Sequence, residues 1–284
     1  MEHNEDPKLK VMDNQEENKR ISVLGCGWYG LELAKKLIEK DYTVSGSSTS
    51  TDKLTLLKQF NINPFLVNFE KESETYDPDF FSCDVLLICI PPKRSTGEQD
   101  SFSGKIKRIA QIADQYGVKQ VIFISSTSVY GDHNGEVTEK TDTSPDTESG
   151  KAIVTAENLL QNCKGFTTTV IRFGGLIGPG RDPGRFFAGK TAIPNGQAPV
   201  NLIHLADCIG ITLSILENRA FGYLYNACAP SHPSRQDFYT RASISSGLAK
   251  PHFVNELLNW KRVTSIHTDR LLNYQFTHNF YSTE

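Results

Sequence analysis

No charge of either sign dominates this sequence. Its 30 Lys and Arg residues face 33 Asp and Glu, a net charge of −3 over 284 residues. That balance excludes the basic footprint of a nucleic-acid partner or of an anionic membrane surface. Long hydrophobic runs are missing too. The longest, Val85 to Pro92, falls far short of the roughly 20 apolar residues that cross a bilayer. Residues 1–19 are polar and mixed in charge, lack the apolar stretch of a signal peptide, and read as a flexible tail. The 6 cysteines are an even count, yet no C-x-x-C pair occurs. Cys26 falls in a glycine turn and Cys89 in a run that reads as a central strand. Neither a disulfide framework nor a metal site is therefore expected, and reduced thiols point to the cytoplasm.

What is present starts with Gly25-Cys26-Gly27-Trp28-Tyr29-Gly30. The short apolar run Ile21–Leu24 precedes it, as a buried parallel strand would. A run from Leu31 to Lys40 follows, with Leu33, Leu37 and Ile38 on one helical face, and then a second apolar run at Tyr42–Val44. Framed as strand, glycine turn, helix and strand, the motif reads as a dinucleotide-binding fingerprint. Gly25 allows the tight turn, Gly27 lets a diphosphate approach the backbone, and Gly30 lets the helix pack on the strand. The N–H groups of Trp28, Tyr29 and Gly30 at the helix start would face the phosphates.

The second strand lacks the terminal Asp or Glu that binds a ribose 2′-hydroxyl in NAD sites. Ser47, Ser48, Thr49 and Ser50 stand there instead, and a helix begins near Thr51 with Lys53 in its first turn. Hydroxyls, helix N–H groups and one lysine suit a 2′-phosphate, so the expected cofactor is NADP in preference to NAD. A Ser/Thr-rich turn and helix cap is the plainer alternative for this segment.

Further strand-like runs alternate with helical ones: Pro64–Asn68, Asp84–Ile90 ending in Pro91-Pro92, Val121–Ile124 and Thr168–Arg172, with a helix over Ser103–Tyr116. This alternation predicts an α/β fold, a doubly wound parallel Rossmann sheet. A nucleotide-binding domain is expected over 20–173 and a smaller C-terminal lobe, interleaved with the sheet, over 174–284. Ligands of such sheets bind at the carboxyl ends of strands, which gathers the glycine turn, Ser47 to Ser50, Pro91 and Ser125 to Tyr130 on one rim.

The run Ser125-Ser126-Thr127-Ser128-Val129-Tyr130-Gly131 resembles the extended short-chain dehydrogenase/reductase superfamily. So do Ile171-Arg172, Gly178-Pro179-Gly180-Arg181 and Asn201–Asp207. The longer stretch Gly178–Thr191 is similar to a bacterial branch of atypical extended members described as NAD(P)-dependent epimerases or dehydratases. The resemblance implies an NAD(P)-binding oxidoreductase or epimerase. It carries the superfamily's catalytic Ser/Thr onto Ser126. Its Y-x-x-x-K pair, aligned through the acid at Glu157, falls on Ser149 and Ile153, which can neither exchange a proton near neutral pH nor hold a ribose by charge. Lys151 lies two residues from Ser149, about 200° around a helix, and faces away. Tyr130 is the other phenol near the rim and stands beside Ser126 as a catalytic candidate.

On the substrate side, Arg181 and Arg185 are candidates to clamp a carboxylate or phosphate, and His204 to line the cleft. Asp207 reads as a helix N-cap, Asn226 and the Pro-rich turn Ala229–Arg235 as pocket wall, and Phe186 and Phe187 as core. The partner is expected to be an unidentified small molecule, and a homodimer is compatible with the fold. Two functional classes stay open. One is an enzyme with an unconventional proton donor; the other is an NADP(H)- or ligand-sensing protein without turnover. A Rossmann protein using another nucleotide, such as a flavin, is a third.

Overall fold

Apolar residues alternate in side along the central strands, and that alternation builds two cores. In a computed structural model, which describes residues 20–70, 73–92 and 99–280, β1 (Arg20–Leu24) sends Ile21 and Val23 to one face and Leu24 to the other. The predicted tail 1–19 lies outside the described residues. From β1 the chain runs through α1 (Trp28–Ile38), β2 (Thr43–Ser48), α2 (Thr51–Gln59) and β3 (Asn63–Leu66). A hairpin of β4 (Asn68–Phe69) and β5 (Glu74–Thr75) follows, and the chain then crosses β1 to β6 (Val85–Ile88). It continues through α3 (Gln99–Gln115), β7 (Gln120–Ser126), β8 (Gly135–Val137), α4 (Glu148–Gln161) and β9 (Thr167–Phe173). The last part holds β10 (Gly175–Ile177), β11 (Leu202–His204), α5 (Leu205–Glu217), β12 (Leu224–Ala227), α6 (Arg235–Ser245), β13 (Lys261–Val263) and α7 (Ile266–Leu272).

Seven strands form one parallel sheet in the order β12-β9-β7-β6-β1-β2-β3. The order reverses at β1 and β6, and the crevice at their carboxyl ends is where such sheets take ligands. Ile106, Ile109 and Ile112 of α3 and Ala156 and Leu160 of α4 cover one face; Leu33 and Leu37 of α1, Leu57 of α2 and Ile211 and Ile215 of α5 cover the other. The Rossmann sheet expected from the alternation of runs is present, with shifts at its joints. Helix α1 starts at Trp28 rather than Leu31, because Gly27 is already its N-cap. Strand β3 ends at Leu66; the Val67 N–H still bonds Ser48 O, and the chain then turns into the hairpin. Helix α3 begins at Gln99, earlier than the apolar periodicity signals.

The 174–284 segment is woven into this sheet rather than laid beside it. Strand β12 is its edge, in register with β9 from Leu224↔Val170 to Ala227↔Phe173. Two short parallel pairs, β10 with β11 and β13 with β8, carry the chain over the strand ends.

A buried ion pair joins these layers. Arg172 on β9 donates from Nε to Glu157 Oε1 at 2.9 Å and from Nη2 to Glu157 Oε2 at 2.5 Å, with both side chains 5% exposed or less. Removing one member of such a pair strands the other charge in the core. Arg172→Met should therefore lose about 3–5 kcal/mol of unfolding free energy, while Arg172→Met with Glu157→Met recovers most of it. Urea denaturation of the two variants checks this, and a double variant no more stable than the single one would show that the pair's charge balance is not what matters.

Candidate functional site

The glycine turn is held by the neighbouring strand. Gly25 adopts φ +100°, and its N–H donates to the Ser47 hydroxyl at 2.9 Å, while the Cys26 N–H donates to the Ser47 carbonyl at 2.9 Å. Ser47 is 2% exposed and is used up in this bracing, so it is corrected from a cofactor contact to a support of the turn. A Cβ on Gly30 would stand 2.3 Å from the Gly25 carbonyl oxygen, so only glycine lets α1 approach β1 this closely. A Cβ on Gly27 meets nothing within 4 Å and would stand in the open crevice. No side chain caps α1 at Gly27, which leaves the first N–H groups of the helix for an anionic ligand.

Two cavities meet at Trp28. The larger, about 1180 Å³, is lined by Gly25, Gly27, Pro91, Ser125, Ser126 and Arg181 among others, with Tyr29 and Gly30 in its wall. Tyr29 itself is buried, its hydroxyl 2.7 Å from Thr212 Oγ1. The smaller cavity, about 470 Å³, is lined by Trp28, Ser48, Lys53 and Pro179. Ser48 Oγ accepts from the Ser50 N–H at 3.0 Å, whereas Thr49 is exposed and lines neither cavity.

On the rim after β7, Ser126 faces the large cavity and its Oγ accepts from the Ser128 N–H at 3.1 Å. Ser125 Oγ donates to Glu157 Oε1 at 2.5 Å, which couples the cleft floor to the buried ion pair. Ser149 and Ile153, on the first turns of α4, line the same cavity. Lys151 is turned outward, in an exposed ion pair with Glu148 at 2.7 Å.

Five residues are placed differently from the expectation. Tyr130 does not line the cleft: it is 2% exposed, and its hydroxyl accepts from Arg172 Nη1 at 2.7 Å and lies 2.9 Å from both Thr138 O and Asn226 Oδ1. Burial pushes its pKa up despite Arg172, so it is a packing residue, not an acid within reach of a ligand. Arg185 is 79% exposed, 3.7 Å from Asp182 and outside the cleft. His204 caps α5, its Nδ1 accepting from the Ala206 N–H at 3.2 Å, and stacks on His278 at 3.6 Å; burial and that neighbour lower its pKa. Asp207 is not the cap but a fully buried clamp that accepts from Tyr274 Oη at 3.0 Å and from the Thr277 N–H at 2.7 Å. Asn226, expected in the pocket wall, sits instead inside the Tyr130 network, its Nδ2 donating to Thr264 O.

Of the turn Ala229–Arg235, expected in the pocket wall, Arg235 lines the far side of the cleft. Sequence reasoning missed the rest of that wall, Asp132, Tyr239, Trp260 and Lys261. Lys261 Nζ lies 2.6 Å from Asp132 Oδ1 and 3.0 Å from the Tyr130 carbonyl oxygen, with its side chain 15% exposed. No local pattern marks Lys261; the parallel pairing of β13 with β8 brings it there, Lys261 opposite Gly135. Among the described residues no cluster of His, Cys, Asp and Glu is arranged to hold a metal, and no helix is long and apolar enough to cross a membrane.

A family model for NAD(P)H-binding matches residues 25–210. Protein YeeZ of Escherichia coli K12 is 38% identical over 242 residues, covering 84% of this chain and 88% of that one. The UDP-glucuronic acid 4-epimerase of Bacillus cereus in complex with NAD superposes with a TM-score of 0.76 at 18% identity, over 92% of this chain and 94% of that one. A conserved protein of unknown function from Silicibacter pomeroyi gives 0.71 at 23% identity, over 92% and 95%. These structures share the fold of this chain, the parallel Rossmann sheet that the alternation of strands and helices implied.

The glycine turn separates fold from ligand. Gly27→Val should leave the thermal midpoint within a few degrees of wild type, whereas Gly30→Val should lower it sharply by forcing α1 off β1. Thermal unfolding monitored by circular dichroism checks both; equal midpoints would mean that the close approach at Gly30 relaxes freely.

Proposed function

Because the chain belongs to the NAD(P)H-binding family, we propose that it is an NADP(H)-dependent protein of the oxidoreductase and epimerase type, acting on a small polyhydroxylated ligand that carries an anionic group. The observation that carries this reading is the continuity of the larger cleft. It runs from the glycine turn past the Ser125–Ser128 rim to a wall holding Arg235, Tyr239, Trp260 and Lys261. Rings and cations on one wall suit a sugar-like ligand with a carboxylate or phosphate.

A bound nicotinamide would supply or take a hydride there. The protein's own part is to hold a ligand oxygen and move a proton. Ser126 accepts from Ser128, which leaves its hydroxyl hydrogen for a ligand oxygen. Ser149 and Ile153 stand where the superfamily's proton-transfer pair would be carried. Asp132 and Lys261 take that place in this reading, the carboxylate as proton acceptor and the ammonium as the charge beside the reacting oxygen. For the cofactor's far end, Ser48 and Lys53 line the smaller cavity beside the glycine turn, and the one acid there, Glu32, is paired with Lys35 at 2.7 Å. That arrangement favours a 2′-phosphate over a bare 2′-hydroxyl.

A second reading, a sensor that binds NADP(H) and a ligand without turnover, is favoured by Ser149 and Ile153 alone. Product analysis separates the two. UDP-glucuronic acid, named for the Bacillus cereus relative, unites the required polyol and anion and heads the substrate panel.

NADPH should bind about tenfold more tightly than NADH by fluorescence titration, since one charge-assisted contact contributes roughly 1.5–3 kcal/mol. Ser48→Asp should remove the preference by setting a carboxylate against the 2′-phosphate; equal affinities in the wild type would end the NADP reading.

If a sugar substrate turns over, Lys261→Met should lower kcat by about 10²–10⁴-fold with the fold intact, while Ser149→Ala leaves it near wild type. Full turnover by Lys261→Met would exclude the Asp132–Lys261 pair. A ligand that raises the thermal midpoint of the NADP(H) complex without product would establish the sensor.

A further inference from the structure

Arg181 was expected to meet substrate, but the fold sets it at the glycine turn. The loop after β10 closes on itself: the Arg181 N–H donates to the Gly178 carbonyl at 2.9 Å, with Gly178 and Gly180 at φ +142° and +74°. Trp28, the first residue of α1, fastens this loop twice. Its Nε1–H donates to the Pro179 carbonyl at 2.6 Å, and its ring lies 4.3 Å from the Arg181 guanidinium carbon. Among the described residues no carboxylate pairs with Arg181. The nearest acid in sequence, Asp182, is engaged by the Gly184 N–H at 2.8 Å and Ser246 Oγ at 2.9 Å.

The position of the loop tells what this cation is for. Trp28 and Gly27 line both cavities, Arg181 the larger and Pro179 the smaller. A dinucleotide lying across the two would pass its diphosphate over Gly27, beneath the loop. We propose that Arg181 is a positioning residue for the cofactor diphosphate, a guanidinium supplied by the C-terminal half of the chain and held over α1 by the face of Trp28. The proposal rests on the dinucleotide reading of the site. A planar fork matches two phosphate oxygens at once, and the indole fixes its plane before the ligand arrives, so little side-chain freedom is lost on binding. The α1 N–H groups reach the diphosphate from one side and Arg181 from the other. Cofactor binding thereby staples the 178–185 loop, and with it one edge of the substrate cleft, onto the nucleotide half.

Calorimetry on the full chain tests this with NADPH, NADH and the diphosphate-free fragment adenosine 2′-monophosphate. Arg181→Ala should weaken the tighter dinucleotide by about 10–100-fold and flatten its salt dependence, with affinity for the fragment unchanged. Arg181→Lys should recover part of the loss, and Arg185→Ala, which removes the same charge outside the cleft, should match wild type. Arg181 is exposed, so its removal leaves the fold in place. Wild-type dinucleotide affinity in Arg181→Ala, or an equal loss for the fragment, overturns the clamp while leaving the dinucleotide site standing. Failure of the wild-type protein to bind either dinucleotide overturns both.

Discussion

The Glu157–Arg172 pair is the constraint on which the rest of the molecule depends. One carboxylate takes two donors from the guanidinium and a third from Ser125, and the guanidinium's remaining end holds the Tyr130 hydroxyl. Through these few atoms α4, β9, the cleft floor after β7 and, by way of Asn226, the edge strand β12 share one network. An apolar replacement of similar volume would stabilise the core nearly as well, because two buried charges give up their hydration. What an apolar patch would not do is fix direction. Hydrogen bonds of set geometry orient the Ser125 and Tyr130 side chains, and so the whole strand-end turn between them.

That network explains which parts of the molecule were legible in the sequence. The glycine turn, the alternation of strands and helices and the hydroxyl-rich end of β2 are local patterns, each readable within about ten residues. Their functional assignment was less readable. Ser47 and Ser48 look alike in sequence, yet one braces Gly25 from a buried position and the other lines a cavity. The difference comes from the strand's two-residue period combined with the register Val23↔Gly46, which sequence does not print. Tyr130 stands in a motif near the rim, but a partner 42 residues away draws its hydroxyl inward. Asp207 precedes a helical run and looks like a cap, while residues 67 to 71 positions later claim its oxygens.

The C-terminal third was least legible because its elements are short and its pairings long-range. Strands β10, β11 and β13 have three residues each, too few for periodicity to signal. Each gains its place by pairing with a strand elsewhere in the chain. Asn201 shows how: its Nδ2 donates to the Lys261 carbonyl and its Oδ1 accepts from the Val263 N–H, so a single amide holds β13 beside β11. The residues 274–280 are tied in turn through Asp207 and through the Phe280 N–H on Ser231 Oγ. The second wall of the cleft is therefore a set of short pieces, mostly from the C-terminal third, beside a sheet that is complete without most of them.

The same support reaches the one cation that sequence reasoning overlooked. Lys261 is held by the Tyr130 carbonyl and by Asp132. Tyr130 is held by Arg172, and Arg172 by Glu157. An ammonium on a flexible four-carbon stem is ordinarily a poorly placed charge. Here two of its three donors are committed to a turn that the buried pair fixes, which leaves the third for the cleft. In the reading proposed above, charge that the superfamily carries on the helix after the rim is displaced to a strand from the far end of the chain. Ile153 then has a plain physical sense. With a cation already anchored across the cleft, a second one on α4 would be repelled, and an apolar side chain packs the helix onto the sheet at no electrostatic cost.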